Sequence, residues 1–317
     1  MTFSSDRWNG PPLAQPPPRH SGQGVTDADR AFLRWDNPEL VDLRRRYAIT
    51  KQTFGLPMLW HDGHIQPEDV LFFRGDNAYV WQHKDKNLRE HYLLTYFYLK
   101  DIARDLFDDL REDNAFGIFT FSVGEHDRIV SRDLLDSINE ILFLKRMGLA
   151  KPDAEILDIG AGYGRLAARF SAAIQGAHYW CIDAVPCSTF LCRFYLRRRG
   201  VEHRASTIAF DRQDLLPGGG QIKLAVNIHS FSECSAKAID YWIKRCAELA
   251  IEYLFIVPNG SAHGGEPRRN DGTEFASIVN AHGYVLQHAE PKYGNPEVQR
   301  LGVSPAWYYL FRRQGLT

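Results

Sequence analysis

Three glycines at alternate positions are the residues of this chain whose type and spacing first suggest chemistry. Gly160, Gly162 and Gly164 directly follow the apolar run "EILDI", which ends at Ile159. Glycine lets a backbone approach a ligand without Cβ atoms in the way. The exposed amides at the start of a following helix suit a polar or anionic group. The pattern therefore predicts a ligand-binding turn between a buried strand and a helix.

Three classes of ligand compete for such a turn. A phosphate-binding P-loop requires GxxxxGK followed by Ser or Thr, which the chain lacks here. A dinucleotide site requires GxGxxG, and its third glycine would fall at position 165, which is Arg165. The GxGxG spacing instead favours S-adenosylmethionine, whose carboxypropyl group and ribose need a close backbone but bring no pyrophosphate.

Acidic residues near the predicted turn extend the candidate cofactor site. Asp183 ends the run "AHYWCID", about twenty residues after the glycines, where an acid meets ribose hydroxyls in nucleotide sites. Asp158 lies inside the first strand and is expected near the methionine end. Arg165 is expected to hold the cofactor carboxylate or to face water. Because the helix dipole disfavours a cation at a helix start, we expect Arg165 to have an acidic partner. Asp211 and Asp214 both qualify as the adenine contact after the third strand.

A hydroxyl that accepts a methyl group must lose its proton at or before attack, so a base is expected beside the site. His229 ends the run "IKLAVNIH" and is the first candidate, although the "SFSE" turn could equally satisfy it. Glu233 could orient His229, act as the base, or cap the next helix. Glu125 and His126, in "SVGEHDR", form a second candidate cluster or a solvated polar turn. No HxH or paired-acid spacing indicates a metal, and we expect none.

The sequence resembles a known family at these residues. "EILDIGAGYGRLA" together with "CIDAVP" is similar to motif I and the following acidic strand end of class I S-adenosylmethionine-dependent methyltransferases. "FSVGEH", "SRDLLDSINEILFLKRM" and "NIHSFSECS" resemble the sugar O-methyltransferase group. The resemblance covers roughly residues 119–257. It implies a small-molecule acceptor, S-adenosylhomocysteine as product, and an active-site position for the Glu125 segment.

The elements expected around these residues change character at Lys151. From there short apolar strands alternate with helices, which indicates a mostly parallel sheet covered on both faces. Two last strands, "YVLQHAEP" and "AWYYLFRR", are expected to pair antiparallel at one sheet edge. The resemblance implies a Rossmann-like class I fold with seven strands and an antiparallel last strand. We assign residues 151–317 to this cofactor-binding domain.

The first 150 residues are expected to be mainly helical. Residues 1–25 are proline-rich, cannot bury a core and are predicted to be a disordered tail. Residues 26–150 are predicted to form a cap over the substrate. This cap could also carry a dimer contact. One long helix is expected from Leu88 to Leu110, a second one from about Ser131 to Gly148, and a short hairpin at residues 70–82.

Composition narrows the class of protein further. A net charge of -1 over 317 residues gives no general attraction to nucleic acid or anionic membrane. No run of 18 apolar residues and no signal-peptide pattern is present, and five cysteines without CxxC pairing suit reduced thiols, so a cytoplasmic enzyme is expected.

Two alternatives to a sugar O-methyltransferase stay open. The methyl acceptor could be an amine, a carboxylate or a non-sugar hydroxyl. A nicotinamide-dependent oxidoreductase is the alternative from another class.

Overall fold

A computed structural model describes residues 24–54, 65–75, 89–123, 128–259 and 266–315, with side chains described to residue 49 in the first range. Its strands within these residues are β1 (Phe121–Val123), β2 (Arg128–Val130), β3 (Glu155–Ile159), β4 (His178–Asp183), β5 (Ala205–Ala209), β6 (Leu224–His229), β7 (Tyr253–Pro258), β8 (Tyr284–Pro291) and β9 (Trp307–Arg313). The α-helices are α1 (Asp27–Phe32), α2 (Pro38–Phe54), α3 (Arg89–Ile102), α4 (Arg104–Asp109), α5 (Arg132–Arg146), α6 (Arg165–Ala173), α7 (Pro186–Arg198), α8 (Ala236–Glu248), α9 (Ala276–Ala281) and α10 (Pro296–Leu301).

Seven of these strands form one sheet in the order β5-β4-β3-β6-β7-β9-β8. The pairs among β3 to β7 are parallel, whereas β9 runs antiparallel to both β7 and β8. This is the Rossmann-like class I methyltransferase fold, so the fold prediction and the antiparallel last strand are confirmed. The strand order reverses between β3 and β6, where ligands bind in open sheets of this kind.

Apolar side chains on both faces of the strands make the sheet the centre of the core. Ile156 and Leu157 are neighbours on β3 and point to opposite faces, yet both are fully buried. Parallel strands are covered by helices on both sides, and their sequences therefore contain nearly continuous apolar runs. Because helices cover both faces of the sheet, a ligand site is expected at the carboxyl ends of the strands.

Two of the predicted N-terminal helices begin at the expected caps. The Thr26 side chain accepts from the amide of Asp29 at the start of α1, and the Ser131 side chain accepts from the amide of Leu134 at the start of α5. Gly148 follows α5 with a φ of 70°. These caps supply backbone partners that a helix end lacks.

The long helix predicted from Leu88 to Leu110 is wrong in one respect. Its described part breaks at Ala103, where φ is −140° and ψ is 42°, and continues as α4. The carbonyls of Phe107 and Leu110, at the end of α4, accept from the guanidinium of Arg128. The break turns Phe107 into the core beside Tyr96, and the periodicity of the sequence does not reveal it.

The hairpin expected at residues 70–82 is not seen where the structure describes that segment. Val70 ends a 3-10 helix that begins at Pro67, and residues 71–75 form turns. Residues 76–82 lie outside the described residues. A short hairpin forms instead between β1 and β2. The division of the chain at residue 150 stays a prediction, and most of the proline-rich tail lies outside the described residues.

Candidate functional site

A pocket opens at the carboxyl ends of β3, β4 and β6, at the reversal of strand order. The glycine loop, the ends of β4 and β6, and the first turns of α5 surround it. The described lining residues are Arg132, Asp133, Asp136, Asp158, Ile159, Gly160, Ala161, Gly162, Tyr163, Arg165, Leu166, Asp183, Ala184, Val185, Ser188, Ile228, His229, Ser230, Phe231, Glu233, Cys234 and Trp242. The pocket therefore brings together most of the residues that the sequence singled out.

The three glycines have left-handed backbones but different surroundings. A Cβ on Gly160 would lie 2.3 Å from Oγ of Ser230, so glycine is required there by space as well as by φ. A Cβ on Gly162 would meet nothing within 4 Å. Gly164 does not line the pocket: it precedes α6, and its Cβ would lie 2.9 Å from Sγ of Cys192. Of the three glycines, Gly160 and Gly162 line the described pocket and Gly164 does not.

Asp183 is tied to the glycine loop by hydrogen bonds to its carboxylate. The amide of Gly162 donates to Oδ2 at 3.0 Å, and the amide of Val185 donates to Oδ1 at 2.8 Å. These two bonds fix the orientation of the carboxylate toward the glycine loop and the start of α7. The geometry suits an acid that meets a ribose.

Asp158 lies beneath the loop, inside β3, and is buried. Burial raises the pKa of Asp158 to about 7, and the negative charges of Glu140 and Asp183 add to this effect, although Arg165 opposes it. A carboxyl in such surroundings changes its protonation easily when a charged ligand arrives.

Arg165 has the partner that its position at a helix start requires. Its guanidinium makes two hydrogen bonds to the carboxylate of Glu140, at 2.8 and 2.9 Å, and one to the hydroxyl of Ser137 at 2.8 Å. This bidentate pair is buried between α6 and α5. The side chain lines the pocket, but Glu140 already engages its charge.

His229 ends β6 in a backbone conformation that non-glycine residues rarely adopt, with φ 68° and ψ −33°. Its side chain lines the pocket, and Nδ1 is buried without a hydrogen-bond partner among the described residues. Burial, reinforced by the charge of Arg132, lowers the pKa of His229 to about 3. The imidazole is therefore neutral near pH 7 and a weaker base than a solvated histidine.

Glu233 lines the same pocket and accepts a hydrogen bond from Nδ2 of Asn259 at 2.8 Å. It does not cap α8: the hydroxyl of Ser235 does so by accepting from the amide of Ala238. The capping interpretation of Glu233 is thus wrong, because Ser235 occupies the position before the helix.

Two of the predicted acids, Asp211 and Asp214, do not line the described pocket. Asp214 is exposed and paired with Arg212 at 3.0 Å. Asp211, the other candidate after the third strand, pairs with Arg46 of α2 at 2.7 Å, so neither acid lines the pocket. Glu125 and His126 lie outside the described residues.

The acids on α5 were missed by sequence reasoning. Asp133, Asp136 and Glu140 are each at most 4% exposed, although charged residues on a helix usually face water. Asp133 accepts from the hydroxyl of Tyr163, and Asp136 accepts from the side chain of Lys292. Their i, i+3, i+7 spacing places them on one face of the helix, which was the available signal.

Two features are absent within the part of the chain that the structure describes. It contains no group of three or more His, Cys, Asp or Glu residues placed to hold a metal ion. It also contains no helix that is both long enough and apolar enough to cross a membrane.

Comparison with known proteins gives likeness in structure only. No protein-family model matches the chain, and no curated protein matches it in sequence. Among solved structures, mitomycin 7-O-methyltransferase is 18% identical over 56% of this chain and 56% of that chain, with a TM-score of 0.40. This chain thus spans little more than half of that enzyme.

Two further solved structures illustrate the same level of likeness. Magnesium protoporphyrin IX methyltransferase from Synechocystis PCC 6803, solved with bound SAM, is 11% identical over 70% of this chain and 97% of that chain, with a TM-score of 0.43. A SAM-dependent methyltransferase from Aquifex aeolicus is 13% identical over 54% and 86%, with a TM-score of 0.41. Identities and TM-scores this low assign neither a substrate nor a reaction to this chain. The fold assignment depends on the strand order described above.

Proposed function

We propose that this chain is an S-adenosylmethionine-dependent O-methyltransferase that acts on a hydroxyl of a small polar molecule. The observation that carries the proposal is the hydrogen bond between the Gly162 amide and the Asp183 carboxylate. It joins an open stretch of backbone at the end of β3 to an acid at the end of β4. A nucleoside with a short polar tail, and without a pyrophosphate, fits that combination.

The chemistry of the pocket residues suits this cofactor. Asp183 would accept from the ribose hydroxyls, while the backbone around Gly160 and Gly162 would lie against the sulfur-bearing chain. Asp158 lines the same pocket, and its ionised form would face the positive charge of the cofactor's sulfonium. When bound, the cofactor supplies an activated methyl group. The residues of this chain orient the reactants and handle the acceptor's proton.

His229 is the proposed base. It accepts the proton that the acceptor hydroxyl must lose as its oxygen becomes bonded to carbon. A low pKa does not prevent this role, because a hydroxyl oxygen that has gained an alkyl group is a strong acid. The neighbouring charge of Arg132 then favours return of that proton to solvent. Glu233 is proposed to contact the acceptor, since it lines the same pocket.

Polar side chains on α5 support a polar acceptor. Arg132, Asp133 and Asp136 line the pocket, and Arg132 donates through Nε to Asp136 at 3.2 Å. Such a wall can satisfy several hydroxyl groups, as a sugar-like molecule requires. Glu125 and His126 are proposed to complete this side, and the N-terminal helices to form its cover.

The alternatives differ in acceptor or in cofactor. An amine, a carboxylate or a non-sugar hydroxyl would use the same cofactor site. A nicotinamide-dependent oxidoreductase would need the third glycine of GxGxxG, and its position holds Arg165, which is committed to Glu140. Because Arg165 occupies this position and is paired with Glu140, this helix start does not have the close glycine backbone that a pyrophosphate group requires.

Transfer of a radiolabelled methyl group to a panel of acceptors tests the proposed reaction. The panel should contain sugars, amines, carboxylates and phenols, with the His229→Gln variant as a matched control. Label on a hydroxyl oxygen with the wild-type chain, and much less with the variant, is expected. Label that appears only on nitrogen would contradict the assignment as an O-methyltransferase.

A further inference from the structure

The side chain of Asn227 connects the two parts of the site that must cooperate, the glycine loop and the histidine turn. Asn227 is on β6, two residues before His229, and is 2% exposed. It does not line the pocket. Any effect on the reaction must therefore pass through the residues that it holds.

Three hydrogen bonds fix the position of this amide. Its Nδ2 donates to the carbonyl of Ile159 at 2.7 Å, which is the last residue of β3 before Gly160. The same nitrogen donates to Oγ of Ser230 at 2.5 Å. Its Oδ1 accepts from the amide of Phe231 at 2.9 Å. One buried side chain thus engages the residue before the glycine loop and both residues that follow His229.

These bonds account for the unusual backbone of His229. His229, the last residue of β6, has a φ of 68°, and the chain continues from it into a 3-10 helix over Ser230–Glu233. A strained conformation of this kind persists only where surrounding structure enforces it. The bonds from Asn227 to Ser230 and Phe231 hold the turn on its far side, and the bond to Ile159 anchors it to β3.

We infer that Asn227 is a positioning residue that fixes the imidazole of His229 relative to the glycine loop. This inference rests on the proposed function, in which the loop holds the methyl donor and His229 is the base. In-line transfer depends on the placement of donor, acceptor and base, so small displacements of one against another reduce turnover strongly. Asn227 sets that placement from outside the pocket.

The test compares Asn227→Asp with Asn139→Asp in the full chain. Asn139 is a suitable control because it is also a buried asparagine, 4% exposed, whose Nδ2 donates to the carbonyl of Lys292 at 2.9 Å. Asn227→Asp keeps an acceptor for Phe231 but loses the Nδ2 donor to Ile159 and to Ser230. Nitrogen-15 histidine NMR, with His229→Gln to assign the signal, reports the imidazole directly. Calorimetry with S-adenosylhomocysteine reports the loop.

We expect Asn227→Asp to shift the His229 signal and to weaken S-adenosylhomocysteine binding about tenfold, the size of effect expected when the buried hydrogen bond to Ile159, the residue before the glycine loop, is lost. Asn139→Asp should change neither beyond twofold. A folded Asn227→Asp variant with an unchanged His229 signal would overturn the inference. If that variant does not fold, Ser230→Ala decides by the same signal, with a smaller shift expected and no shift contradicting the role.

Failure of this inference is separable from failure of the proposed function. If the wild-type chain does not bind S-adenosylhomocysteine, the proposed function is wrong. The His229 signal still shows whether Asn227 holds the turn. If the wild-type chain binds and the signal does not respond to Asn227, the positioning role alone is wrong.

Discussion

The hydroxyl of Ser230 occupies the space that a side chain at Gly160 would need: a Cβ built on Gly160 lies 2.3 Å from Oγ of Ser230. The end of β3 and the turn after β6 are therefore packed against each other, with no room for a methyl group. Gly162, two residues on, has open space instead. The two glycines therefore have different structural requirements: close packing against Ser230 at Gly160, and the left-handed backbone alone at Gly162.

The first prediction separates those requirements by substitution. Gly160→Ala should lower the free energy of unfolding by about 2–4 kcal/mol, because a left-handed backbone and a steric clash act together. Gly162→Ala should cost only about 1 kcal/mol, since the backbone conformation alone is affected. Urea denaturation measures both. Equal losses in the two variants would contradict this account of the loop.

Asp183 provides the second prediction. Asp183→Asn should weaken S-adenosylhomocysteine binding about 10- to 100-fold, because an amide cannot accept from two backbone amides and also from ribose hydroxyls. Calorimetry measures this change. Asp214→Asn is the matched control, as Asp214 is exposed and outside the pocket, and it should bind normally. A loss of affinity in the Asp214 variant alone would reverse the assignment.

His229 yields a prediction about strain. His229→Gly and His229→Ala should both reduce methyl transfer about 10²- to 10⁴-fold, as the loss of a general base does. His229→Gly should nevertheless be more stable than His229→Ala by about 1 kcal/mol, because glycine tolerates a φ of 68°. Thermal or urea unfolding compares the two. Equal stability would show that the turn relaxes once the imidazole is removed.

Asp158 gives a pH dependence with a definite sign. Its pKa is raised to about 7 in the folded chain, so the folded state holds a proton that the unfolded state releases near pH 4. The resulting stability is present below pH 4 and is lost as pH rises through 7, by up to about 4 kcal/mol. Asp158→Asn resembles the protonated form and should not show this loss.

The measurement for Asp158 is the difference in unfolding free energy between the wild-type chain and Asp158→Asn from pH 4 to 8. Other titrating groups contribute to both proteins and cancel in the difference. The wild-type chain should lose stability relative to the variant as pH increases. A difference that stays constant would mean that Asp158 is ionised throughout.

The sequence brought together the glycine-loop side of the pocket because backbone requirements are local. Glycine at positions 160 and 162 and an acid at the end of β4 reflect turn geometry and strand ends, which a short segment reveals. The acids of α5 could not be found this way. Asp136 and Glu140 are balanced by Lys292 and Arg165, and those partners become neighbours only after the chain folds.

The contacts of Asn227 also could not be predicted from the sequence. In the sequence it is one polar residue inside the strand "LAVNIH", and its hydrogen bonds reach β3, 68 residues earlier in the chain. The break at Ala103 is also invisible to periodicity, because residues on both sides keep one apolar face. Elements with regular patterns were predicted well, whereas contacts between distant segments required the fold.

Calorimetric titration of the wild-type chain with S-adenosylhomocysteine, and separately with NAD, distinguishes a methyl-donor site from a dinucleotide site. We expect S-adenosylhomocysteine to bind at a ratio of one per chain and NAD to give no heat of binding. Binding of NAD without binding of S-adenosylhomocysteine would contradict this expectation and would favour an oxidoreductase on the same fold.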